Sequence, residues 1–249
     1  MSKIPIDRNI PLLNDADPNV RRSAVEALGR KMNKGSIKPL INLYNKEDNI
    51  DVRRAIVLAL SFIGGEEIIP ILLDVLKNEK DADTRRNAAG GLRFFNKQVK
   101  AEVIFKILLE EEDTSIRDVL TNTIIYFQDE SIIPTLIAVY QKEKKAHLEE
   151  CVLEILGSFD TPETNELLFK SIKLGNRDKI RLIATRALGK RNAISIIAPL
   201  YDVYQNDPNE EIKNLAYQIL DEYSIALNFH SVDQMVLDFM QKQKEKESN

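Results

Sequence analysis

The sequence predicts an all-α fold, an α-solenoid built as a right-handed superhelix of about seven helix–turn–helix repeats. Three observations carry that prediction. Val20, Val52, Thr84, Ile116, Leu148, Ile180 and Ile212 follow one another at a constant 32-residue step (52 − 20 = 32, and so on to 212 − 180). Each period holds two amphipathic helices separated by a short link. No stretch alternates cleanly with period two, so strand signals are missing.

The first repeat shows the pattern most fully. Asp17 can accept from the free N–H groups of a first helical turn, and Pro18 suits the first helical position. Val20, Ala24, Ala27 and Leu28 form one apolar face, and Gly29 is expected to end the helix in a left-handed conformation. The Leu28 column continues as Leu60, Leu92, Ile124, Leu156, Leu188 and Leu220. The Leu40 column, on the second helix, continues as Leu72, Ile104, Leu136, Leu168, Leu200 and Val232. First helices are therefore expected near 18–30, 50–62, 82–95, 114–127, 146–158, 178–190 and 209–223. Second helices are expected near 36–46, 67–78, 99–111, 131–142, 163–174, 195–206 and 231–244.

Three regions depart from the repeat. Residues 1–14 read as an N-terminal cap, with Leu12 and Leu13 placed to cover the first repeat's edge. Residues 15–244 read as one solenoid domain and 245–249 as a disordered tail. Gly91 shares the small-residue column of Ala27, Ala59 and Ala187, which suits close packing. Gly90 falls in an exposed column and marks a place where the helix can bend, at a cost of about 1 kcal/mol relative to Ala.

Composition excludes several classes. The chain has 249 residues, is 43% hydrophobic, and carries Lys+Arg 35 against Asp+Glu 39, so no global positive field points to nucleic acid. Cys151 is the single cysteine, which rules out an internal disulfide framework and suits a cytoplasmic location. Met1 to Pro11 holds no apolar signal region, and no apolar run approaches the roughly 18 residues of a membrane span, so no membrane partner is expected. His147 and His230 are the only histidines and lie in different repeats; no cofactor or metal is expected.

The unit from Asp17 to Gly29, followed by Ile37-Lys38-Pro39-Leu40-Ile41, resembles the HEAT repeat, in the short form named after phycobilisome lyases. Asp51-Val52-Arg53-Arg54-Ala55 and Ile68-Ile69-Pro70-Ile71-Leu72 match the same pattern. The resemblance implies first helices outside and second helices lining a concave face. It implies little about activity, because the repeat serves many unrelated roles. Deoxyhypusine hydroxylases, which are HEAT-like enzymes, hold iron with repeated His-Glu pairs; this sequence has none.

Two sets of residues are candidates. The first is a charged ladder in which an acidic residue precedes a basic one by about one helical turn: Asp17 with Arg21, then Arg53, Asp81 with Arg85, Asp113 with Arg117, and Arg181. Its signs invert at Lys145 and Glu149, and Glu149 is expected to join the layers of Arg117 and Arg181. The second is the set of second-helix columns expected to line the concave face: Lys38, Asn42, Asn45, Asp74, Lys77, Glu102, Lys106, Gln141, Lys170 and Asp202. Its alternating signs suit a protein or peptide partner rather than nucleic acid. Phe62, Phe94 and Tyr126, with Phe95, Phe127 and Phe159 one place on, are expected in the core. The expected function is a non-catalytic scaffold or adaptor binding a protein or peptide partner along the concave face. Chromophore handling, as in the bilin lyases the repeat resembles, is the alternative. A HEAT-like alkylpurine glycosylase is the lesser one, opposed by the charge and the absence of Trp.

Overall fold

The computed structural model describes residues 7–142, 145–191 and 193–247. Among them the chain is an all-α solenoid without β-strands. The first helices are α1 (Pro18–Arg30), α3 (Ile50–Ile63), α5 (Ala82–Leu92), α7 (Thr114–Phe127), α9 (Ala146–Leu156), α11 (Asp178–Leu188) and α13 (Glu210–Ala226). The second helices are α2 (Ile37–Tyr44), α4 (Ile69–Asn78), α6 (Ala101–Glu110), α8 (Ile133–Lys142), α10 (Pro162–Ser171), α12 (Ile197–Asn206) and α14 (Val232–Glu247). The chain divides between Asp129 and Glu130 into two compact units.

The helix starts follow from capping chemistry. Asp17, Asn49, Asp81, Asp113 and Asn209 each accept a bond from a backbone N–H of the first turn. Thr161 and Thr164 form a capping box at α10. Lys145 and Arg177 stand in the cap column of α9 and α11 and make no side-chain cap bond. A short 3-10 turn, such as Lys34–Ser36 or Glu66–Ile68, leads into several second helices.

In unit 1, α1, α3, α5 and α7 pack on one another in succession, and α2, α4 and α6 each pack on the first helix of the following layer. Small residues permit the close approach of first helices. A Cβ on Gly29 would stand 2.9 Å from that of Ala59, and one on Gly91 would stand 2.2 Å from Ser61 Oγ. The same register returns in unit 2, where a Cβ on Gly157 would lie 2.7 Å from that of Ala187. Gly29 is therefore an interior, buried packing residue of α1 and not its left-handed terminator; that conformation falls on Met32, at φ 50°.

The apolar columns form the core as expected: Leu28, Leu60, Leu92, Ile124, Leu156, Leu188 and Leu220 are all buried, as are Leu40, Leu72, Ile104, Leu136, Leu168, Leu200 and Val232. Full burial of each such side chain contributes about 1.5–3 kcal/mol. Leu13 is buried and Leu12 is exposed; residues 1–6 lie outside the described residues. Helix α5 runs unbroken through Gly90 and Gly91. Helix α14 extends to Glu247, so residues 245–247 are helical rather than tail, and 248–249 lie outside the described residues.

The aromatic columns split. Phe95, Phe127 and Phe159 are buried, but Phe62, Phe94 and Tyr126 are 58%, 64% and 51% exposed. Neighbouring helical positions point about 100° apart, so one column enters the core and the other leaves it. The expectation that both are core is corrected for Phe62, Phe94 and Tyr126.

Candidate functional site

The ladder arginines use a different carboxylate from the one four residues upstream. Arg21 donates to both carboxylate oxygens of Glu47 at 2.7 Å, and to the carbonyls of Asp15 and Ala16. Arg53 donates to Glu79, to the Glu47 carbonyl at 3.1 Å, and lies 4.1 Å over the Tyr44 ring. Arg85 donates to Glu111 at 3.1 Å and to the Glu79 carbonyl at 3.0 Å. Arg117 continues to the Glu111 carbonyl at 3.1 Å. Each glutamate thus receives one arginine on its carboxylate and the next on its backbone, which ties successive links of unit 1 together. Asp17, Asp81 and Asp113 cap helices instead, because a first-turn position faces the free N–H groups rather than the guanidinium. Asp81 also receives Arg54 of the preceding layer at 3.1 Å.

The carboxylates register this. Bonds from Arg21 hold Glu47 below its ordinary value, with burial opposing. Burial pushes Glu79 and Glu111 up, but the bonds from Arg53 and Tyr44 to Glu79, and from Arg85 and the Asp113 backbone to Glu111, together with weaker lowering contributions, outweigh it and both end lowered. Burial likewise opposes ionisation of Asp81, yet Arg54 and Thr84 bring it down to about 2.

Unit 2 breaks the ladder once. Glu149 accepts from Arg177 at 2.7 Å, and Arg177 also binds Glu150 at 2.7 Å. Arg181 pairs with Asp207 at 2.7 Å, both buried. Glu149 therefore pairs with Arg177, not with Arg181. The glutamate partners lie 26 residues downstream of their arginines, beyond the reach of an i, i+4 pattern within one helix. Their own column, Glu47, Glu79, Glu111, Glu143, Gly175 and Asp207, repeats at the same step (79 − 47 = 32) and carries the signal.

The ten candidate partner residues are all exposed and all sit on second helices or at their ends. Glu102 and Lys106 pair with each other at 3.0 Å, and Lys170 pairs with Glu166 at 2.6 Å. Asp74 accepts from Asn78, and Asp202 from Asn206, both at 2.7 Å. Gln141 and Lys170 edge a hollow of about 450 Å³ in unit 2, with Tyr140, Glu163 and Ser171.

A larger hollow, about 640 Å³, lies in unit 1 on the first helices α1, α3 and α5. Gly29, Ala55 and Ala59 make a floor of small residues, and Met32, Leu58 and Phe62 stand around it as exposed apolar side chains. Arg22, Glu26, Arg30, Asp51 and Arg54 form the charged rim. In the next two layers, the exposed rings of Phe94 and Tyr126 continue the Phe62 column. The Arg93 guanidinium lies 5.8 Å and 4.9 Å over those two rings. The sequence signal for this face is the column Phe62, Phe94, Tyr126 itself, whose 32-residue step does not tell the core side of the helix from the outer side.

Among the described residues, no group of three or more His, Cys, Asp or Glu is placed to hold a metal ion. No helix there is long and apolar enough to cross a membrane.

The family model for HEAT repeats matches residues 6–93 and 101–189. No curated protein matches the chain in sequence. Among solved structures, the Escherichia coli protein YibA is similar at 16% identity and TM-score 0.52, over 97% of this chain and 93% of that one. The complex of CpcE and CpcF of phycocyanin lyase from Nostoc sp. PCC7120 is similar at 18% identity and TM-score 0.47, over 97% and 98%. The Mot1 N-terminal domain in complex with TBP is similar at 15% identity and TM-score 0.47, over 89% of this chain and 35% of that one.

Proposed function

From the premise that the chain belongs to the HEAT-repeat family, we propose that it is a scaffold that holds a protein or peptide partner, by the first-helix face of unit 1. One observation carries this reading. Leu58 and Phe62 on α3, Phe94 in the 3-10 turn that follows α5, and Tyr126 on α7 are all exposed in unit 1, and Leu58 and Phe62 line the hollow with its floor of small residues. The same columns in unit 2 are polar: Ser158, Lys190 and Glu222 follow Tyr126, and Glu154, Arg186 and Gln218 follow Asn122. Fold maintenance does not require the apolar choice, and exposed apolar clusters mark interaction sites.

This reading moves the partner face away from Lys38, Asn42, Asn45, Lys77 and their column mates. Glu102 and Lys106 neutralise each other along α6, and Lys170 is neutralised by Glu166 on α10, which suits a solvated surface. A paired substitution separates the two faces. Native lysate is passed over the intact chain, over Phe62→Lys with Phe94→Lys, and over Lys38→Glu with Lys77→Glu. A stoichiometric partner lost only with the phenylalanine pair supports the first-helix face. Loss only with the lysine pair restores the second-helix face and defeats this assignment.

A further inference from the structure

Resting on that reading of the first-helix face, we infer that the hollow of unit 1 receives a partner segment carrying one large apolar side chain next to a carboxylate. The apolar half follows from the lining. Gly29 and Ala59 pack so closely that a Cβ on the glycine would fall 2.9 Å from that of the alanine, so the floor is bare of bulk. Leu58, Phe62 and Met32 stand up around it, 41%, 58% and 60% exposed. A bulky side chain entering there removes these apolar surfaces from water together with its own.

The acidic half follows from the two walls. On α1, Arg22, Glu26 and Arg30 stand four residues apart along one face. The single Glu26 carboxylate lies 3.8 Å from Arg22 and 3.7 Å from Arg30, beyond hydrogen-bond distance for both. Two guanidiniums thus share one carboxylate in loose ion pairs, and neither makes a side-chain hydrogen bond among the described residues. The opposite wall is the reverse. Arg54 meets three carboxylates, Asp51 at 3.7 Å, Asp81 at 3.1 Å and Asp83 at 3.4 Å, and Asp83 also binds Arg86. A partner carboxylate is drawn to the α1 wall and repelled from the α3–α5 wall, which sets one orientation for the segment. Arg30 occupies the column of Phe62 one layer earlier, so the cation and the aromatic wall adjoin. A carboxylate bound by a guanidinium at the rim of an apolar site also gains strength from the excluded water.

A phage-displayed random-peptide library selected on the intact chain tests this. Enriched peptides are expected to share a Phe, Leu or Trp with an Asp or Glu within about one helical turn of it. A synthetic copy, titrated by fluorescence anisotropy, should lose about tenfold or more in affinity on Phe62→Lys. It should weaken on Arg30→Glu, and selection on Arg30→Glu should enrich Lys or Arg beside the apolar residue instead. Both positions are exposed, and circular dichroism establishes that each variant is folded. Peptides that need Phe62 but show no acidic preference, and are indifferent to Arg30→Glu, overturn this inference while leaving the scaffold reading in place. Peptides indifferent to Phe62→Lys overturn the site assignment as well. Absence of any enriched peptide, with a Phe62-dependent absorbance shift of added biliverdin, overturns the inference in favour of a small apolar acid.

Discussion

Units 1 and 2 are made from the same 32-residue repeat, yet they spend their charged and aromatic residues differently. In unit 1 three arginines, Arg21, Arg53 and Arg85, each close on a glutamate in the next link, and the first-helix face above them is apolar. In unit 2 the ladder is interrupted where Glu149 and Gly175 occupy the arginine and glutamate columns, and the columns of Phe62 and Leu58 carry polar residues. The apolar core columns continue through both. The difference teaches that the repeat demands burial and close helix contact everywhere, but leaves charge pairing and surface chemistry free to vary layer by layer.

The largest expected effect tests whether the unit 1 ladder is the stronger. Glu79 accepts from Arg53 and Tyr44, and its side chain is 6% exposed. Glu79→Ala leaves a half-buried guanidinium unpaired and should cost about 3 kcal/mol in urea unfolding. Glu149→Ala, at an exposed pair in unit 2, should cost under about 1 kcal/mol. Equal losses would erase the contrast.

Acid sharpens the same point. Glu47, Glu79 and Glu111 are held below their ordinary value of 4.5, and Asp81 at about 2. Because the folded values are the lower ones, the stabilisation is complete above pH 4.5. It is lost as pH falls from there through the lowered values. The urea midpoint should drop over that window, and Glu79→Gln should flatten the drop. A midpoint whose pH dependence is unchanged by Glu79→Gln would remove the glutamate ladder as its cause.

Two adjacent glycines in α5 should move stability in opposite directions. Gly91→Ala forces a Cβ against Ser61 and should cost about 1–3 kcal/mol. Gly90→Ala meets nothing within 4 Å and should add about 0.5–1 kcal/mol. A loss at both would mean that the hollow face of α5 is tighter than its counterpart positions in unit 2. The smallest effect on stability belongs to Phe62→Lys, within about 0.5 kcal/mol because the ring is exposed. The same change should reduce fluorescence of an apolar dye bound to the chain, and unchanged fluorescence would place the sticky surface elsewhere.

The sequence by itself determined the repeat length, the order and near-boundaries of the helices, and which columns form the core. These depend on local capping and on a periodicity that each repeat restates, so seven copies reinforce one reading. Asp17 is legible as a cap for the same reason, whereas Asp81 and Asp113 read as ladder partners of Arg85 and Arg117 until the structure shows them capping α5 and α7. Only the tertiary structure decided what meets across layers. It matched Arg21 to Glu47, set Gly29 against Ala59, and turned Phe62, Phe94 and Tyr126 outward while Phe95 and Phe127 turned in. Those outcomes depend on how one helix is rotated against the next. A rotation of one residue, about 100°, exchanges core for surface without altering the 32-residue step that the sequence displays.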